Sequence, residues 1–119
     1  LGRHDTTLIA LVARYHRRAA PQPYHEVFSA LTRDDRLAVA KMAAILRVAD
    51  ALDRNHMQQA RELACTRERG RFIITVGDME GLTLERMALK DKGGMFEDVY
   101  GLEVVLRSDK ATEGSVTDV

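Results

Sequence analysis

The chain has 119 residues, of which 45% are hydrophobic and 30% charged. This length and composition are typical of one globular domain and exclude a disordered or collagen-like protein. Basic and acidic residues both number 18, and the resulting net charge of zero disfavours nucleic acid and membrane surfaces as partners. No apolar run approaches the roughly 20 residues of a spanning helix, so we expect a cytoplasmic protein without membrane contact.

The N-terminal half predicts three helices. Apolar residues at helical spacing follow the possible N-caps Asp5-Thr6-Thr7 and predict a first helix over residues 6–18, before two prolines. A short second helix is expected over residues 24–31. Thr32 stands at a capping-box spacing before Asp35 and begins the longest periodic run. Because the apolar residues of that run cover more than half of its circumference, we expect a largely buried central helix that ends near Asn55.

In the C-terminal half the apolar period changes. Alternation over residues 62–67, a glycine at Gly70 and β-branched residues over 71–76 predict a β-hairpin. A helix is expected to begin at Thr83 and to be interrupted by Gly93-Gly94.

The second part of that helix is expected to stop at Gly101, before a third strand over residues 102–106. The predicted fold class is therefore α+β, with an all-helical N-terminal half followed by a small β-β-α-β lobe. The predicted divisions are a helical segment over 1–58, the lobe over 59–107 and a flexible tail over 108–119.

Basic residues cluster at the end of the first predicted helix, at Arg14, His16, Arg17 and Arg18. Guanidinium groups offer a planar fork of donors that suits phosphate oxygens, so this cluster can bind a phosphate. The alternative is that the cations complement the negative end of the helix dipole.

Histidine and aspartate side chains supply candidate metal ligands. The candidates are His16, His25, Asp50, Asp53 and His56. Asp50 lies among apolar neighbours, where an unpaired carboxylate is costly, so it needs an ion or a charged partner. The alternative to a metal is a salt bridge from Asp50 to an arginine such as Arg14 or Arg47.

Several chemistries lack the residues that they need. Gly93-Gly94 has neither the Lys-Ser/Thr pair nor the third glycine of a phosphate-binding loop, and no Gly-x-Ser-x-Gly turn is present. The single cysteine, Cys65, excludes an internal disulfide and is predicted to be a small core residue. The few aromatic residues do not interleave with basic ones, which disfavours stacking on single-stranded nucleic acid.

Several segments together resemble the C-terminal region of the exopolyphosphatase/guanosine pentaphosphate phosphohydrolase family. The resemblance extends to about Leu106, and the segments that carry it are residues 11–18, His25-x-x-Phe28-x-x-Leu31, residues 44–54, residues 82–85 and residues 95–101. It implies a longer parent protein whose N-terminal, actin-like lobes carry catalysis with Mg²⁺ or Mn²⁺, followed by a helical domain related to HD-type phosphohydrolases. No catalytic residue of those lobes has a counterpart in this chain.

Within the HD-type pattern, His16 resembles the downstream histidine and Asp50 the final metal-binding aspartate. The upstream histidine and His-Asp pair are expected to precede this chain, and we interpret His4-Asp5 as a coincidence with helix capping. Half of a metal site is therefore expected, whereas hydrolytic metal sites use three or more protein ligands.

The main hypothesis is an accessory domain of a phosphoanhydride hydrolase. Its arginines Arg14, Arg17, Arg18 and Arg47 would bind polyphosphate or guanosine pentaphosphate, and its helices would pack in a homodimer. One alternative is a remnant HD-type metal phosphohydrolase that uses His16, His25, Asp50 and His56. The other is a purely structural module that packs against the N-terminal catalytic lobes or a second subunit.

Overall fold

The computed structural model describes residues 2–17, 20–53, 62–77 and 81–109. Its helices and strands, in chain order, are α1 (Arg3–Arg17), α2 (Glu26–Ser29), α3 (Arg33–Leu52), β1 (Leu63–Glu68), β2 (Arg71–Val76), α4 (Thr83–Lys92), α5 (Gly94–Tyr100) and β3 (Glu103–Ser108). The predicted α+β class, with a helical half followed by a β-β-α-β arrangement, is confirmed.

The helix starts differ in how they are capped. Thr32 accepts a hydrogen bond from the Asp35 backbone N–H at 3.1 Å, so its predicted role as the N-cap of α3 is confirmed. Thr6 and Thr7 are not caps, because α1 begins at Arg3 and both hydroxyls donate back to carbonyls four residues earlier, at 3.0 Å. Helix α2 spans only Glu26–Ser29, about one turn.

Helices α1 and α3 run side by side in the same direction. His4 near the start of α1 lies 3.0 Å from Asp35 near the start of α3. Towards the other end, Arg47 Nε of α3 donates to the Tyr15 carbonyl of α1 at 2.8 Å. The C-terminal turns of both helices therefore lie together, and the residues that end α1 face the last two turns of α3.

The three strands form one sheet in the order β1-β2-β3. β1 pairs with β2 antiparallel through the hairpin at Gly70, whereas β2 pairs with β3 parallel, with α4 and α5 between them in the chain. At the α4–α5 junction, a Cβ on Gly93 would lie 2.6 Å from the Leu89 carbonyl oxygen, so only glycine fits there. Gly101 ends α5 in the left-handed region at φ 71° and turns the chain into β3.

One hydrophobic core connects the helical half with the sheet. Its buried residues come from six elements and the loop before α4, and they are Leu11, Val12, Tyr15, Val39, Ala43, Ala44, Val48, Ala51, Ile74, Val76, Leu82, Leu89, Met95, Phe96 and Leu106. The alanines of α3 let its neighbours approach closely, and α3 contacts α1 as well as α4 and α5. Its central position agrees with the sequence.

Two expectations about burial were wrong. The outer face of α3 leaves Met42, Ile45 and Leu46 between 41% and 55% exposed, so this helix is not largely buried. Cys65 is exposed rather than a core residue, and so are the other five residues of β1. β3 also extends to Ser108, which was expected to begin the tail, while residues 110–119 lie outside the described part. No described helix is long and apolar enough to cross a membrane.

Candidate functional site

An open groove of about 490 Å³ lies where α1 ends beside α3 and near the start of β1. The side chains that line it are His16, Leu46, Ala49, Asp50, Leu52, Asp53 and Leu63. The groove therefore combines an apolar floor from α3 with one imidazole and two carboxylates. It brings together His16, Asp50 and Asp53, three of the five candidate metal ligands.

Tyr15 fixes the rotation of α1 at this groove. The side chain is fully buried, its hydroxyl hydrogen-bonds to His25 Nδ1 at 2.7 Å, and its ring meets Phe28 edge-on at 5.5 Å. Because Tyr15 points into the core, the neighbouring His16 is directed along α3 and Arg17 is left exposed. Burial raises the pKa of Tyr15, while the charge of the adjacent Arg14 opposes this shift.

Arg14 and Arg47 extend the basic region by one helical turn. The Arg14 guanidinium lies over the Tyr15 ring at 5.3 Å from its centroid, with the side chain exposed. Arg47 donates to the Tyr15 carbonyl in the last turn of α1, where helix carbonyls generally need partners from outside the helix. Arg47 thus joins the two helices and places a cation beside the exposed arginines.

Asp50 is bonded to Lys92, the last residue of α4, by a hydrogen bond and an ion pair. The predicted arginine partner, Arg14 or Arg47, was wrong. The hydrogen bond from Lys92 holds the pKa of Asp50 below its ordinary value; partial desolvation opposes this, and the positive charges of Lys92, His16 and Arg17 lower it further. Three basic side chains from two helices therefore act on one carboxylate.

Sequence reasoning missed Lys92. This lysine lies 42 residues after Asp50, and no local spacing connects the two. The only available signal was the pair Lys90 and Lys92 in the last turn of α4, which is common at helix C-termini. Placing Lys92 at the groove requires the packing of α4 on α3, which sequence patterns do not specify.

His25 is not part of the groove. Its Nδ1 accepts hydrogen bonds from the Tyr15 hydroxyl and, at 3.3 Å, from the Gln22 backbone N–H, so it supports the turn between α1 and α2. Arg18 and His56, the other predicted site residues, lie outside the described ranges.

The donor set does not fit a hydrolytic metal site. Within the described ranges, no group of three or more histidine, cysteine, aspartate or glutamate side chains is arranged to hold a metal ion. His16 and Asp50 offer two ligands, and an ammonium group already occupies the carboxylate of Asp50. Mg²⁺ and Mn²⁺ prefer several oxygen ligands, which this pair of side chains does not supply.

The scan against protein-family models and the search of curated proteins both find no match for this chain.

Proposed function

We propose that the chain is a cytoplasmic, C-terminal accessory domain of a phosphoanhydride hydrolase similar to the exopolyphosphatase/guanosine pentaphosphate phosphohydrolase family. In this proposal the domain helps to bind polyphosphate or guanosine pentaphosphate, it packs as a homodimer, and the N-terminal lobes of the parent protein carry hydrolysis. The supporting observation is that Lys92 bonds to Asp50 and His16 lines the same groove, while the positive charge of Arg17 also lowers the pKa of Asp50 and Arg14 and Arg47 lie within one helical turn.

Asp50 acts as an internal anion in this arrangement. It neutralises part of the basic cluster when no ligand is bound, because Lys92 bonds to it directly. A phosphate chain carries several closely spaced negative charges, and an exposed arginine can bind two of its oxygens at once. We therefore expect a polyphosphate to compete with Asp50 for Lys92 while it engages Arg14 and Arg17.

Binding of long polyphosphate to the purified chain at several salt concentrations tests the proposal. By analogy with single-stranded polyanions, three or four phosphate contacts predict that affinity falls about 20- to 50-fold between about 50 and 200 mM salt. Arg17→Gln is expected to weaken binding several-fold. Arg33→Gln is the matched control, since Arg33 begins α3 about 25 Å from Asp50 and should leave binding unchanged. Binding that does not respond to salt, or that both variants weaken equally, would overturn the proposal.

Asp50→Asn is expected to change polyphosphate affinity in the opposite direction, towards tighter binding. Removal of the internal anion frees Lys92, so we expect polyphosphate affinity to rise about 3- to 10-fold at low salt. Asp98→Asn, at an exposed position of α5, removes the same charge away from the groove and should have little effect. Weaker binding in the Asp50 variant would contradict the competition.

The second candidate function is the remnant HD-type hydrolase, for which His16 and Asp50 in one groove supply only two of the three or more ligands that a hydrolytic metal site uses. Phosphate release from polyphosphate and guanosine pentaphosphate, with Mg²⁺ or Mn²⁺ and with EDTA as control, separates the two. The accessory-domain proposal expects no release from this chain. Metal-dependent release that Asp50→Ala abolishes would show instead that the chain is itself a hydrolase.

The outer face of α3 supports the packing part of the proposal. Met42, Ile45 and Leu46 are exposed there, and Ile9 of α1 is 55% exposed as well. We assign this apolar face to contact with the catalytic lobes of the parent protein. Met42→Glu in the parent protein should then weaken the lobe contact, measured as an increase in proteolysis between the domains, whereas Leu84→Glu, at an exposed position of α4, should not.

A further inference from the structure

Strand β1 is an edge strand with both faces uncovered. All six of its residues are exposed, and Leu63 retains 59% of its surface. It pairs along one edge with β2, in a continuous register without a bulge, and it contains no proline. Within the described ranges no other strand pairs with its outer edge. Such an edge lacks a bulge and a proline, two of the features that usually prevent strand addition.

The register shows which backbone groups of β1 point outward. Gly77 N–H donates to the Glu62 carbonyl at 3.1 Å, so this pair is hydrogen-bonded, and the pattern alternates along an antiparallel ladder. Ala64 and Thr66 therefore face β2 with their backbone groups. Leu63, Cys65 and Arg67 direct their N–H and C=O groups away from β2, towards the open edge.

We propose that two copies of the chain pair through β1, antiparallel, about a two-fold axis at Cys65. The outward residues are symmetric about Cys65, so this register places Cys65 opposite Cys65 of the partner subunit and Leu63 opposite Arg67 of the partner subunit. Every outward N–H and C=O of the strand then has a backbone partner. A second copy is the one partner whose edge is matched in length and register by symmetry, and the result is a continuous six-stranded sheet.

The charges on the opposite face permit this register. It brings Glu62 opposite Glu68 of the partner subunit, and like charges directly opposite each other are unfavourable. Arg71 already bonds to Glu68 within the same chain at 3.2 Å and offsets its charge. The pairing therefore does not leave an uncompensated carboxylate pair at the interface.

The pairing brings a residue of the partner to the groove. Leu63 lines the groove beside His16 and Asp50, and residues directly opposite each other in a sheet share one face. Arg67 of the partner subunit therefore lies next to the groove and adds a guanidinium to the basic cluster. This step rests on the proposed function, because it matters only if the groove binds a polyanion.

Oxidative cross-linking of the wild-type chain tests the register, since Cys65 is its only cysteine. Opposite residues of a hydrogen-bonded pair have Cα atoms about 5.5 Å apart, which lies within disulfide range. We expect a disulfide-linked dimer on a non-reducing gel. The variant Cys65→Ser with Thr66→Cys should cross-link at least tenfold more slowly, because its two cysteines are then offset along the strands. Faster linkage through position 66 would overturn the register.

Light scattering of Cys65→Pro tests the interface itself. Proline at this position removes an outward N–H and keeps the ladder to β2, so the variant should dimerise at least tenfold more weakly than the control Cys65→Ser. An unchanged circular dichroism spectrum verifies its fold, and the cross-linking result applies even if this variant unfolds. A wild-type monomer at all concentrations, or equally strong dimers of both variants, would overturn the proposal.

Arg67→Gln separates failure of the interface from failure of the proposed function. The variant should dimerise normally and bind polyphosphate about twofold to fivefold more weakly. Cross-linking through Cys65 without any polyphosphate binding would remove the proposed function and leave the β1 pairing established. Polyphosphate binding by a strict monomer would remove the pairing alone.

Discussion

The two strands of the hairpin have the same length and pair residue for residue, yet they differ completely in burial. All of β1 is exposed, whereas Ile73, Ile74 and Val76 of β2 are at most 3% exposed. Ile74 and Val76 belong to the core that the helices complete, while the residues opposite them on β1 extend beyond it. Backbone pairing and side-chain packing thus contribute separately to the stability of a strand. β1 is held by backbone hydrogen bonds but buries none of its side chains.

The largest expected effect tests this difference at directly opposed positions. Ile74→Ala removes a buried side chain and should lower the free energy of unfolding by about 3 kcal/mol, within the usual range for such changes. Cys65→Ala, at its cross-strand partner, should change it by less than about 0.5 kcal/mol at concentrations where the chain is monomeric. Urea denaturation measures both. A similar loss in the two variants would show that β1 contributes packing that the exposure of its residues does not indicate.

Two tyrosines extend the comparison to the helical half. Tyr15→Phe deletes the hydroxyl that bonds to His25 Nδ1 and should cost about 1 to 2 kcal/mol in the free energy of unfolding, because the half-buried imidazole loses this hydrogen bond. The Gln22 N–H still reaches Nδ1, which limits the loss. Tyr24→Phe, at a side chain 76% exposed, should cost almost nothing. Equal melting temperatures for both variants would contradict the role given to the Tyr15 hydroxyl.

Two threonines at helix starts allow the same comparison between a side chain that makes a structural contact and one that does not. Thr32→Ala removes the side-chain acceptor that caps α3 and is expected to cost about 1 kcal/mol. Thr83 begins α4 without a side-chain cap, so Thr83→Ala should cost less than about 0.5 kcal/mol. Thermal unfolding of both variants against the wild type provides the test. A larger loss of stability in Thr83→Ala than in Thr32→Ala would contradict the role of Thr32 as the stabilising cap.

The elements of the fold could be predicted where the signal is local. Thr32 begins α3, Gly93 separates α4 from α5 and Gly101 ends α5, because capping and glycine conformations act within a few residues. Burial was predicted less well. Cys65 and the outer face of α3 look like core residues by type, and their exposure depends on where distant elements stop covering them.

The candidate site could likewise be predicted from the sequence only where the signal is local. Arg14 and Arg17 follow from a local cluster. Asp50 has a charged partner as expected, but its side chain is 48% exposed, so the expected cost of burial among apolar neighbours was wrong as the reason. The identity of that partner, Lys92, depends on a contact across 42 residues. His25 has the right chemistry for a metal ligand, but the packing of Tyr15 commits its Nδ1 to the fold.

The smallest expected effect concerns Asp50, whose side chain is 48% exposed. Its pKa in the folded chain lies below the ordinary value of 3.8, so the pair with Lys92 stabilises the fold above that value and loses its contribution as pH falls towards the lowered pKa. The stability difference between the wild type and Asp50→Asn should therefore shrink between about pH 5 and pH 2, and high salt should reduce it at neutral pH. Urea denaturation at a series of pH values measures this difference, and a difference for Asp50→Asn that stays constant down to pH 2 would show that the ion pair with Lys92 does not stabilise the folded chain.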